Sequence, residues 1–160
     1  MKLSENFTLA ELTKSQTAKR LGIDNTPTPE QLENLLELCN KVLQPLRDAI
    51  GPIRISSGLR VPALNKAIGG SKTSQHCAIN GAAADIDVGS KNFDVFNYIK
   101  NNLVFDQLIA EGVDGDGNID WVHVSYHYGK NRNQILIASF NSGRVKYIPY
   151  SEEAYKRIYG

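Results

Sequence analysis

The 160-residue chain has three histidines: His76 in SQHCAINGAAADID, and His123 and His127 in DWVHVSYH. The first two each have an acidic residue close by and lie in or beside a segment that reads as a strand. Catalytic zinc needs three protein ligands drawn from histidine and carboxylate, with a further position left to water. His76, His123 and one aspartate meet that need. Asp85 is the natural third ligand, because it stands in AAADID among small and apolar residues, where an unpartnered carboxylate is costly. Asp87 shares its strand parity and is the alternative, as ligand or as an acceptor that orients a histidine. His127 follows His123 at the same parity and reads as a fourth ligand, a substrate contact or a solvated strand end.

A metal-activated water also needs a base beside it. Two carboxylates qualify. Glu111 ends FDQLIAE, and Asp120 immediately precedes the strand that carries His123. The turn-rich GVDGDGNI between them predicts a hairpin that brings both acids to its mouth, near His123. Partial desolvation there would tune a carboxylate for proton transfer. Arg60, in SSGLRVPALN, suits bidentate capture of a carboxylate, or a surface salt bridge. Asp114, Asp116, Asn118 and Asp120 are spaced like the start of a calcium loop. Ile119 occupies the position that such a loop gives to glycine, and Ser125 that of the bidentate glutamate, so a hairpin loop is expected instead.

The elements that must position these groups follow from periodicity. Thr8 to Glu11 and Thr28 to Gln31 have the form of capping boxes, and Pro29 suits a first helical position. Leu32, Leu35, Leu36, Cys39, Val42, Leu43 and Leu46 then share one helical face, which Pro45 is expected to kink or divide. Strands are expected over 53–56, 83–88, 106–111, 121–126 and 134–140, with 145–150 as an added edge. Helices are expected in the first 50 residues and over 93–103, with a short helical turn over 61–68 closed by Gly69 and Gly70. Helices first and strands later imply an α+β domain, with N-terminal helices packed on a mainly antiparallel sheet.

The length suits a single domain, residues 1–160, able to bury a core without staples. A net charge of +1 gives no reason to expect nucleic-acid or membrane binding, and a monomer is expected. Cys39 and Cys77 are too few for a disulfide framework, and Cys39 falls in the apolar rhythm of a helix as a buried thiol. MKLSENFTLAEL lacks an apolar signal core, so synthesis in a cytoplasm is expected, with delivery by another agent if the target is a cell wall.

Taken in order, SSGLRVPALNKAIGGSKTSQH, GAAADID, FDQLIAE and DWVHVSY resemble the D-alanyl-D-alanine zinc carboxypeptidases and endopeptidases, whose fold is shared with the hedgehog signalling domain. The resemblance is nearest to the small peptidase domains of phages and prophages and spans residues 7–139. It implies zinc held by His76, Asp85 and His123. It implies Glu111 as the base, although some relatives use the acid three residues before the final histidine, here Asp120. Arg60 would bind the terminal carboxylate of a peptidoglycan stem peptide, and Ser74 matches the motif serine near the substrate. The implied activity is cleavage next to D-alanine at the bacterial cell wall, by a carboxypeptidase or an endolysin-like endopeptidase. The alternative is a non-catalytic peptidoglycan-binding or virion structural module on the same fold. One feature departs from the family pattern: Gly81 follows His76 by five residues rather than three, so the loop CAIN is enlarged.

Overall fold

The structure is a computed structural model and describes residues 1–113, 118–141 and 144–159. A two-stranded ribbon, β1 (Lys2–Ser4) and β2 (Phe7–Thr8), opens the chain. Helices α1 (Leu9–Thr13), α2 (Gln16–Leu21), α3 (Pro29–Leu38) and α4 (Gln44–Ile50) follow. Both expected capping boxes form: Thr8 and Thr28 each accept from the backbone N–H three residues on, and Glu11 and Gln31 reach back to the cap. Pro45 does not divide the long helix. Its missing N–H and bulky ring are absorbed by a π turn over Cys39–Leu43, where the Gln44 N–H reaches back to the Cys39 carbonyl.

Among the described residues six strands make the main sheet: β3 (Ile55–Ser57), β4 (Ala82–Ile86), β5 (Gln107–Glu111), β6 (Trp121–Tyr126), β7 (Gln134–Asn141) and β8 (Arg144–Pro149). Their order is β3-β4-β6-β5-β7-β8, and β5–β7 is the parallel pair in an otherwise antiparallel sheet. The α+β architecture read from the sequence is the one observed. A short helix, α5 (Pro62–Ala67), and the longer α6 (Asn92–Asn102) complete the middle of the chain. The strand expected over 121–126 has those bounds, and the other strands differ from expectation by one or two residues.

Strand alternation divides the sheet into a dry face and an open one. Ala82, Ala84, Ile86, Leu108, Ala110, Val122, Val124 and Ile137 join one core with Leu35, Leu38 and Val42 from the long helix and Phe96 and Ile99 from α6. The alanines of β4 allow α3 to approach closely. On the opposite face the same strands present Asp85, His123, Ile109, Glu111 and Leu136 to an open cleft.

The ribbon β1–β2 and a C-terminal helix, α7 (Glu152–Tyr159), were not foreseen from the sequence. Tyr155 of α7 packs against Phe93, Phe96 and Tyr150, with ring centroids 5.7, 6.5 and 6.0 Å away. Aromatic docking of this kind holds a short helix that would be marginal alone. Among the described residues no helix is long and apolar enough to cross a membrane. Asp114 and Asp116, the first positions of the calcium-like spacing, lie outside the described residues.

Candidate active site

The register of β4 against β6 sets Asp85 directly opposite His123. Opposed side chains on one face of a sheet lie within contact distance, and here the His123 Nδ1 is 3.0 Å from Asp85 Oδ1. His76 arrives from a loop. The Ser74 hydroxyl accepts from the His76 N–H at 3.2 Å and caps a 3-10 turn over Gln75–Cys77. The His76 Nδ1 is 2.8 Å from the Gly58 carbonyl. A carbonyl can only accept, so Nδ1 carries the proton and Nε2 keeps its lone pair. That Nε2 faces Asp85 Oδ1 at 3.3 Å. Gly58 can hold its carbonyl there because it has no side chain: a Cβ would collide with the Leu12 carbonyl.

One donor atom from each of His76, Asp85 and His123 thus lies within 4.8 Å of the others. Two imidazole nitrogens and a carboxylate, one imidazole fixed through its far nitrogen, form a donor set that suits a transition-metal ion such as zinc. Burial alone would raise the Asp85 carboxyl. The imidazoles of His123 and His76 beside it outweigh that effect and hold the group well below the usual carboxylate range. It is therefore an anion, as a ligand must be.

The enlarged CAIN loop leaves this convergence intact. Ala78 takes a left-handed conformation, with φ of 57°, and Ile79 turns out to solvent. The Gln75 side chain closes the loop on the Asn80 carbonyl at 2.9 Å. Gly81 then returns at φ of 82°, so close to β6 that a Cβ would collide with the Tyr126 carbonyl. The extra residues are taken up on the outside of the loop, between two fixed ends.

Glu111 stands at the end of β5, one step along the open face from Ile109, which is paired with His123. It is buried, only 9% exposed. Desolvation pushes its carboxyl from an ordinary 4.5 up to about 7. Nearby His123 opposes the rise and the charge of Asp85 adds to it. Asp120 lies across the hairpin mouth, its N–H donating to the Glu111 carbonyl at 2.9 Å. It is exposed and leans over Gly112, leaving Glu111 the acid desolvated beside the triad.

The remaining candidates separate. Asp87 is not part of the cluster: its carboxylate accepts from Asn92 and from the Gly89 N–H, both at 3.0 Å, at the start of α6. It sits past the end of β4, where strand parity no longer governs direction. His127 lines the cleft without joining the three-residue donor group. Arg60 lines it too. Its N–H donates to the His76 carbonyl at 2.8 Å, and its Nε is buried without a partner.

Two features of the site were missed in the sequence. Asp106, buried just before β5, accepts from Arg132 Nε at 2.9 Å and Nη2 at 3.1 Å and from Gln75 Nε2 at 2.6 Å. Burial would raise this carboxyl, but the Arg132 hydrogen bonds outweigh it and keep it ionised. The network ties the His76 turn to the sheet. A charged residue between Phe105 and an apolar strand was the available signal. The second feature is Tyr147 of β8, which lines the cleft together with Trp121.

The cleft encloses about 1220 Å³ and runs along the open face of the sheet past the triad. No match was found among curated proteins. The family description "Peptidase M15" matches residues 5–125, from the β1–β2 turn to the strand bearing His123. Three quarters of the chain is covered, and the three converging ligand-type residues lie inside it. The chain belongs to the peptidase M15 family, that of the D-alanyl-D-alanine carboxypeptidase-like zinc peptidases.

Proposed function

We propose that the protein is a zinc-dependent peptidase that hydrolyses bonds next to D-alanine in the stem peptides of peptidoglycan, acting at the bacterial cell wall. The observation that carries this reading is a desolvated Glu111 beside converging His76, Asp85 and His123, on the floor of an open cleft. His76, Asp85 and His123 would hold a zinc ion, which would supply polarisation of the scissile carbonyl and acidification of the attacking water. Glu111 accepts the water's proton, which its raised basicity favours near neutral pH, and delivers it to the leaving amine. Asp120 stays in solvent at the cleft edge. The Gly58 carbonyl and the Asp106 network hold His76 in place, and the Ser74 hydroxyl caps its turn.

Arg60 lines the cleft, and its guanidinium suits capture of a terminal carboxylate. Arg60→Ala is expected to weaken peptides ending in a free carboxylate by about 1.5–3 kcal/mol, the value of a charge-assisted hydrogen bond. Amidated peptides of the same sequence are expected to change little. Steady-state kinetics on the two sets makes the comparison, and equal losses on both would make Arg60 a structural residue.

The activity itself is tested by mass spectrometry of peptidoglycan fragments digested with zinc-loaded protein, with and without a chelator. Release of D-alanine or splitting of cross-links, blocked by the chelator, is the expected result. Binding to peptidoglycan with no cleavage by fully loaded protein would favour a non-catalytic module.

A further inference from the structure

We propose that Tyr147 is a catalytic residue of this site, whose phenol hydroxyl donates a hydrogen bond to the scissile carbonyl oxygen as that oxygen gains negative charge. The inference rests on the peptidase reading above and adds a group that lies outside the family-matched residues 5–125.

The placement follows from sheet register. Tyr147 pairs with Ala138 across β7 and β8. The Ala138 carbonyl accepts from the Val113 N–H at 3.0 Å, so Ala138 lies beside Glu111 and Gly112 on the neighbouring strand. Trp121, Glu111, Ala138 and Tyr147 therefore form one row across the open face, with Trp121 paired to Glu111. The residue between Glu111 and Tyr147 is thus an alanine, too small to block the phenol. Ala138 is only 1% exposed although it faces the cleft side, so its larger neighbours cover it. Tyr147 is itself 52% exposed, which leaves its ring open to a ligand lying in the cleft.

Tyr147 lines the same cleft as Asp85, Glu111 and His123. Burial, then the carboxylates of Glu111 and Asp85, raise the phenol above its ordinary range. Those two acids belong to β5 and β4 and line the same open face of the sheet as Tyr147. A donor that stays protonated at neutral pH and faces a developing oxyanion is what electrostatic stabilisation requires. The step balances without any proton leaving Tyr147. Water oxygen bonds to the carbonyl carbon, the carbon–nitrogen bond breaks, and the proton taken by Glu111 departs on the amine.

Tyr147→Phe removes the hydroxyl and keeps the ring over Ala138. With a peptide ending in D-alanyl-D-alanine, kcat is expected to fall about 100-fold, the scale of losing one oxyanion donor. KM, zinc content and melting temperature are expected to stay within experimental error. Calorimetry gives a second readout: a phosphinate dipeptide that imitates the tetrahedral geometry should lose affinity by a similar factor, while D-alanine product should not. A kcat within twofold of wild type, a loss confined to KM, or parallel losses for phosphinate and product would each overturn the assignment. Failure of the zinc-loaded wild type to cleave any D-alanyl peptide would instead overturn the peptidase reading, and the role of Tyr147 with it.

Discussion

Glu111→Gln is expected to lower kcat on a D-alanyl peptide by about 10³-fold, within the range for loss of a positioned general base, while zinc content stays at the wild-type level. The isosteric amide keeps the volume at the end of β5 but cannot accept a proton. Asp120→Asn is expected to cost less than tenfold, because Asp120 is exposed and bonded through its backbone to the Glu111 carbonyl. Kinetics and metal analysis on both variants rank the two acids, and the opposite order would transfer the role to Asp120. The same substitution has a signature in chelator-treated protein. Folding raises the Glu111 carboxyl from 4.5 to about 7, so the folded state binds its proton more tightly than the unfolded chain. Its contribution is fully present below pH 4.5 and is lost as pH rises through about 7. Glu111→Gln is therefore expected to be neutral to stability in acid and stabilising above pH 7. At about 1.4 kcal/mol per tenfold change, the gain approaches roughly 3 kcal/mol. Denaturant titrations at pH 4 and pH 8 read it directly, and a stability difference independent of pH would contradict the burial of this acid.

What the sequence made legible was the periodic part of the molecule. Thr28 and Gln31 announced the start of α3, and the alternation of AAADID and DWVHVSY announced two strands with Asp85 and His123 on one face. Parity could not say which strands are neighbours, so the direct pairing of Asp85 with His123 waited for the sheet order β4-β6-β5. It also misjudged Asp87, since parity holds only while the strand lasts and β4 ends at Ile86. His76 sits on no periodic element. Its position depends on the Gly58 carbonyl and on the Gln75–Asp106–Arg132 chain, contacts between residues 18 to 31 positions apart. Such long-range contacts leave no local pattern. Tyr147 was hidden for the same reason: Val145 to Tyr150 reads as a plain edge strand until β7 is set between it and β5.

Removal of a ligand is expected to have the other large effect, and it separates the metal site from the rest of the fold. Zinc bound only to the folded state stabilises it by RT ln(1 + [L]/Kd), about 4 kcal/mol at a thousandfold excess over Kd. Wild-type protein is therefore expected to melt several degrees higher with zinc than with chelator. Asp85→Ala should abolish that difference together with activity, because it removes the anion that faces both imidazole nitrogens at 3.0 and 3.3 Å. His123→Ala should do the same. Asp87→Ala is the informative control: it removes an acceptor for Asn92 and the Gly89 N–H, so the protein should melt lower in both conditions. The zinc-dependent rise should nevertheless survive, since Asp87 contributes nothing to the cluster. Differential scanning fluorimetry with equilibrium dialysis against zinc distinguishes the two aspartates. A zinc response lost in Asp87→Ala and kept in Asp85→Ala would exchange their roles, and with them the reading of β4 as the strand that carries a ligand.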